Sequence, residues 1–154
     1  MSTKPNRNVT IGDFVLNNEA LFPWTVYVYV PNAAGTGKTK AKFGVEFCHV
    51  TPERRLELLQ DFREKAEERK RLEEIPDGDK TDEDIEAIRQ VLSFELMLLQ
   101  ETVARFTKGI RDPQGNDVST DEATKAQMFS NAWARDALLY SYQQALQGRS
   151  AEGN

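Results

Sequence analysis

Trp24-Thr25-Val26-Tyr27-Val28-Tyr29-Val30 and, across residues 31–38, Thr39-Lys40-Ala41-Lys42-Phe43-Gly44-Val45-Glu46-Phe47-Cys48-His49 decide the fold. The first run is built of β-branched and aromatic side chains, which suit a pleated, half-buried surface. Trp24, Val26, Val28 and Val30 fall on one face; Thr25, Tyr27 and Tyr29 fall on the other. The second run alternates too. Ala41, Phe43, Val45 and Phe47 oppose Lys40, Lys42 and Glu46. Two alternating runs around a Gly-containing loop predict an antiparallel hairpin over about 24–50.

The hairpin hands over to helices. Thr51-Pro52-Glu53 supplies an N-cap, a first-turn proline and an acid at the positive end of the helix dipole. Leu56, Leu59, Phe62 and Ala66 then form a helical stripe, predicting a helix over 52–72. The charged run Glu67-Glu68-Arg69-Lys70-Arg71 reads as its solvated, protruding end. Pro76-Asp77-Gly78 is a turn. Thr81, followed by Asp82, Glu83 and Asp84, caps a second helix. Its stripe, Ile85, Ile88, Leu92, Leu96, Leu99, Val103 and Phe106, predicts a helix over 81–107, roughly 40 Å long. Val91, Phe94 and Leu98 widen the apolar face. Asp112-Pro113-Gln114-Gly115 has turn chemistry. Two further helices are predicted at 120–129 and 131–147, parted by Ser130-Asn131, with Gly148 as C′ residue.

The expected architecture is therefore α+β, mostly α-helical, with the hairpin packed on a small helical bundle. A single domain over 14–148 is expected, flanked by a mobile arm (1–13) and a disordered polar tail (149–154). A chain of 154 residues is long enough for one core and too short for two full domains.

Charge and composition bound the function. The net charge is −5; residues 1–77 balance, and residues 78–154 carry the excess acid. That argues against nucleic acid as a partner. The longest uncharged stretch, 20–37, contains prolines and glycines and alternates, so no membrane segment is expected. Cys48 is the only cysteine, which excludes an internal disulfide and fits a reducing cytoplasm.

Chemical motifs are weak. Gly35-Thr36-Gly37-Lys38-Thr39 resembles a phosphate loop, but Asn32 stands where a glycine is required, and a strand follows instead of a helix. The acids from Asp77 to Glu86 miss the EF-hand pattern, with Asp82 and Ile88 at its glycine and glutamate positions. His49, the only histidine, has no nucleophile and orienting acid at a recognisable spacing. No cofactor, metal site or enzymatic activity is expected. Binding is: Leu92, Leu96, Leu99, Val103 and Phe106 on the long helix, with Trp133, Tyr140 and Tyr142 on the last, are the candidate partner-binding residues. A surplus of apolar helix face can cover a partner helix, and Trp and Tyr are favoured anchors.

Two stretches carry a family resemblance. One is Phe43–Leu59, with Val50-Thr51-Pro52-Glu53-Arg54-Arg55-Leu56 entering a helix. The other is Phe94–Gly148, with Phe106, Gly109-Ile110-Arg111-Asp112, Gly115, Val118-Ser119 and Ala137-Leu138-Leu139-Tyr140-Ser141-Tyr142-Gln143-Gln144-Ala145-Leu146-Gln147-Gly148. Together they resemble the tail assembly chaperones of long-tailed bacteriophages. The resemblance implies a holdase that coats the tape measure protein, helps recruit tail tube protein, and leaves before the virion matures. It also implies self-association, the bacterial host cytoplasm as location, and a longer frameshifted form for which this chain would be the shorter product. A structural tail completion or connector subunit, retained in the particle, is the alternative. A small enzyme using the Gly35–Thr39 loop is the third reading.

Overall fold

The computed structural model describes residues 11–14, 16 and 21–148. Of the expected arm, residues 11–13 are exposed and without secondary structure; the rest of it and the tail at 149–154 lie outside the described residues. Strand β1 is Leu21–Pro31 and β2 is Lys38–Cys48. They pair antiparallel along their whole length, from Leu21 opposite Cys48 to Pro31 opposite Lys38. Helix α1 (Pro52–Glu73) and helix α2 (Asp82–Thr102) follow, then strand β3 (Val103–Lys108), α3 (Glu122–Ser130) and α4 (Ala132–Leu146). The sheet order is β1-β2-β3. The fold is α+β and mostly helical.

The helix ends match their caps. The Thr51 Oγ1 accepts from the Arg54 amide at 3.2 Å. Thr81 and Asp84 form a reciprocal capping box, at 3.1 and 2.9 Å. Asn131 ends α3 and caps α4 through the Ala134 amide. Gly148 sits at φ +74, the left-handed conformation that closes a helix.

The helix predicted over 81–107 stops at Thr102, and residues 103–108 form a third strand beside β2. The error has a physical source. Val103 and Phe106 are three apart, a helical spacing, and in a regular strand they would face opposite ways. Here Val103 lies opposite Phe47, Arg105 opposite Glu46, Phe106 opposite Val45 and Lys108 opposite Gly44, so Ala104 and Thr107 are extra residues. These two bulges turn Val103 and Phe106 onto the same, inner face. A bulged strand thus imitates a helical stripe. The strand also gives the β2 backbone at 44–47 hydrogen-bonding partners.

The reading of α1 needs a second correction. Leu56 is 65% exposed, and the inward side chains are Leu58 and Leu72, with Leu59 and Phe62 partly buried. The charged end is not a free projection: Leu72 is buried, and Arg69 is paired to α2 and α4. A stripe scored on hydrophobicity alone misses a helix whose inward face includes a half-buried arginine.

One apolar cluster joins the sheet to the helices. Val26, Phe43, Val45 and Phe47 meet Leu98, Leu99, Val103, Phe106, Leu138 and Tyr142. Ring centroids of Phe47 and Tyr142 are 5.0 Å apart, those of Phe43 and Phe106 5.7 Å, both edge-on. Gly44 permits the β3 bulge, because a Cβ there would press on the Thr107 hydroxyl oxygen. Gly109, at φ +88, turns the chain out of β3 where a Cβ would stand 2.8 Å from the Lys42 carbonyl oxygen.

Candidate interhelical binding surface

The eight residues singled out from sequence divide by burial. Leu99, Val103, Phe106 and Tyr142 are core residues, at most 2% exposed, so they present no surface to a partner in this fold. Their assignment as contact residues is corrected: each fills the space between sheet and helices. Leu96 is partly buried against the same cluster. Leu92, Trp133 and Tyr140 remain at the surface, at 42, 50 and 62% exposure.

The structure brings Leu92 and Tyr140 to two sides of one arginine. Arg69 reaches from α1 toward α2 and α4, with its Nη1 2.8 Å from Glu95, its Nη2 3.6 Å from Asp136 and its Nε 3.1 Å from Glu73. On one side lies a groove of about 160 Å³, walled by Leu72, Ile88, Val91 and Leu92. On the other lies one of about 210 Å³, walled by Phe62, Ala66, Phe94, Leu139 and Tyr140. Phe62 and Phe94 meet edge-on at 6.5 Å, and the Lys65 ammonium lies 5.7 Å from the Phe94 ring. Trp133 and Tyr140 are seven residues apart on α4, so they share a face about 10 Å apart along the axis.

The electrostatics are those of a partly dry groove. Burial raises the Glu95 carboxyl above its ordinary value, against the pull of Arg69 and Arg135. Burial also works against the Arg69 charge, but Glu95, Asp136 and Glu73 outweigh it and hold the guanidinium more firmly protonated. Arg135 donates to the Leu92 carbonyl oxygen, tying α4 to the middle of α2. The result is an apolar surface interrupted by a cluster of paired charges. Sequence reasoning missed Arg69, Glu95 and Asp136, because no local pattern links residues that are 26 to 67 positions apart. Phe94 was visible as part of the widened face of α2.

A larger cleft, about 370 Å³, opens at the hairpin base among Phe22, Trp24, Cys48, His49, Arg55 and Tyr142. His49 rests against Phe22, with centroids 4.7 Å apart. Arg55 donates to the Leu146 carbonyl at 2.6 Å, pinning α4 to α1. The Tyr142 hydroxyl is buried without a partner, and burial pushes its pKa up to about 12. Among the described residues, no group of three or more His, Cys, Asp and Glu is arranged to hold a metal ion. None of the described helices is long and apolar enough to cross a membrane. The Gly35–Thr39 loop closes the hairpin, with the Asn32 side chain accepting from the Thr36 amide at 3.1 Å, and β2 follows it.

No protein-family model, curated protein or solved structure matches the chain.

Proposed function

We propose that this chain acts by binding, as an assembly chaperone of the long-tailed phage kind, in the cytoplasm of a bacterial host. Its client is the tape measure protein, and recruitment of tail tube protein releases it. The resemblance of residues 43–59 and 94–148 motivates the family. The observation that carries a binding role is the pair of apolar grooves flanking Arg69, with Leu92 and Tyr140 exposed at their lips. A tape measure protein is long and helical, and an amphipathic helix buries its apolar face in such a groove. Glu95, Asp136 and Arg69 offer polar partners between the two apolar segments, which sets a register for the bound helix.

The test is an affinity pull-down of the tagged chain from cells expressing the tail genes, with purified virions assayed beside it. Recovery of tape measure protein, with the chain missing from virions, is the expected result. Presence in virions at fixed copy number would instead make it a structural tail subunit. Leu92→Asp and Tyr140→Ala alter exposed side chains, so both variants keep the helical circular dichroism; loss of tape measure capture locates the site. Unchanged capture by both would remove the groove from the account.

A further inference from the structure

The outer face of the sheet, opposite the helices, has a chemistry unlike the rest of the molecule. The three strands carry Lys38, Lys40, Lys42, Arg105 and Lys108 against one acid, Glu46. That acid lies 3.6 Å from Arg105. The hairpin register sets Tyr27 opposite Lys42 and Tyr29 opposite Lys40, and directly paired residues share a face. The Lys40 ammonium sits 4.4 Å from the Tyr27 centroid and 5.9 Å from that of Tyr29. Tyr29 is 55% exposed, and all five cations are exposed.

The row runs into a pocket of about 310 Å³ where Thr25, Lys42, Lys108 and Arg111 converge. Gly44, covered by Thr107 and Lys108, forms part of its wall. Asp117, the acid at the rim, is engaged by the Gly109 and Ser119 amides at 3.3 and 2.9 Å. From Tyr29 to Thr25 the row is roughly 14 Å long.

We propose that this face binds single-stranded nucleic acid without sequence preference. The observations choose this partner over an acidic polypeptide. Lysines alone would serve either, but two tyrosine rings at strand pitch are stacking platforms for bases, with cations beside them for the phosphates. In the free protein Lys40 covers the rings. On binding, its ammonium moves to a phosphate and bases take its place. The pocket at Lys108 and Arg111 receives a further phosphate. The chain's net charge of −5 hides this face, because the acids that outweigh it lie on the helices and loops.

The test is fluorescence anisotropy with a labelled oligodeoxythymidine of about 15 nucleotides, starting near 50 mM salt. Binding that weakens with salt is expected. Tyr29→Ala should weaken it about tenfold at an unchanged salt slope. Lys40→Ala with Lys42→Ala should reduce the slope by about 1.4, about 0.7 for each lost phosphate contact. These are exposed positions, so thermal melts should match the parent; Lys108→Ala probes the pocket separately. Three outcomes would overturn the proposal. They are no binding at about 100 µM protein, a limit matching weak non-specific affinities; duplex DNA binding as tightly; or polyglutamate binding as tightly with no effect of Tyr29→Ala. The last would assign the face to an acidic protein.

Discussion

Gly44→Ala tests the third strand through the sign of a stability change. Glycine in a strand interior is an entropic weakness, and alanine at a compatible position gains about 0.4–1 kcal/mol. If residues 103–107 continued the α2 helix, Thr107 would not lie over β2 and the substitution should stabilise. In the bulged arrangement, a Cβ on Gly44 stands well under 3.0 Å from the Thr107 hydroxyl oxygen and 3.2 Å from Lys108 Cγ. The lysine can swing away. The Thr107 oxygen is one bond from its Cβ, so room is made only by a change of its χ1 rotamer or by a shift of the bulge. Overpacking of this kind costs about 1–3 kcal/mol. For a chain of this length that lowers Tm by roughly 3–10 °C. Urea denaturation of the parent, Gly44→Ala, Thr107→Ala and the double variant closes a cycle. A coupling of at least about 0.5 kcal/mol is expected, with the double variant recovering part of the loss. A stabilised Gly44→Ala, or strictly additive effects, would refute the placement of β3 on β2.

Phe106→Ala should destabilise by about 3–5 kcal/mol in chemical denaturation, because it empties a site shared with Phe43 and Phe129; a surface role would leave stability within about 0.5 kcal/mol. Tyr142→Phe should hold or raise Tm, since it removes a buried hydroxyl that has no partner; a clear loss of stability would mean that the hydroxyl is engaged. Glu95 has a folded-state pKa above its ordinary 4.5, so ionising it disfavours the folded state as pH rises from that value. Parent stability relative to Glu95→Gln should therefore fall as denaturation is repeated from pH 4 upward, and the opposite slope would show that the Arg69 pairing dominates. Asp112 and Asp117 are held below their ordinary 3.8, Asp112 by the Asn116 amide and Asp117 by the Ser119 hydroxyl, so their contribution is present above that value and lost as pH falls below it. Asp112→Asn should flatten the acid limb of the stability curve.

Legibility followed locality. The hairpin could be read from residues 24–49 because period-two alternation and the turn between the strands agree. The Thr51 and Thr81 caps and the Ser130-Asn131 break could be read because a cap is a contact within three residues. β3 could not, since its two bulges convert strand geometry into helix-like spacing, and only its pairing with Gly44–Phe47 distinguishes them. Leu56 misled for a related reason. The inner face of α1 is completed by Arg69, whose burial depends on carboxylates supplied by two other helices. Of the candidate contact residues, those at the end of the α2 stripe and Tyr142 proved to be core, because the sheet supplies the partner surface that the sequence left open.

The two proposed surfaces lie on opposite sides of one packed layer, and that placement bears on whether they can act on each other. The grooves beside Arg69 lie among α1, α2 and α4, while the lysine–tyrosine row lies on the far side of the sheet those helices cover. Val26, Phe43, Val45 and Phe47 form the layer between them. Cores are close-packed and do not deform gradually, so a ligand on one side changes affinity on the other only if the layer has two discrete arrangements. Side chains such as Phe47, held edge-on to Tyr142 at zero exposure, show one arrangement that is already filled. If both proposals hold, occupancy of the sheet face should leave groove binding unchanged, and client capture with and without an added oligonucleotide measures this. A net charge treats these faces as one quantity. Their separation across a packed core is what lets an acidic chain carry a basic surface without either cancelling the other.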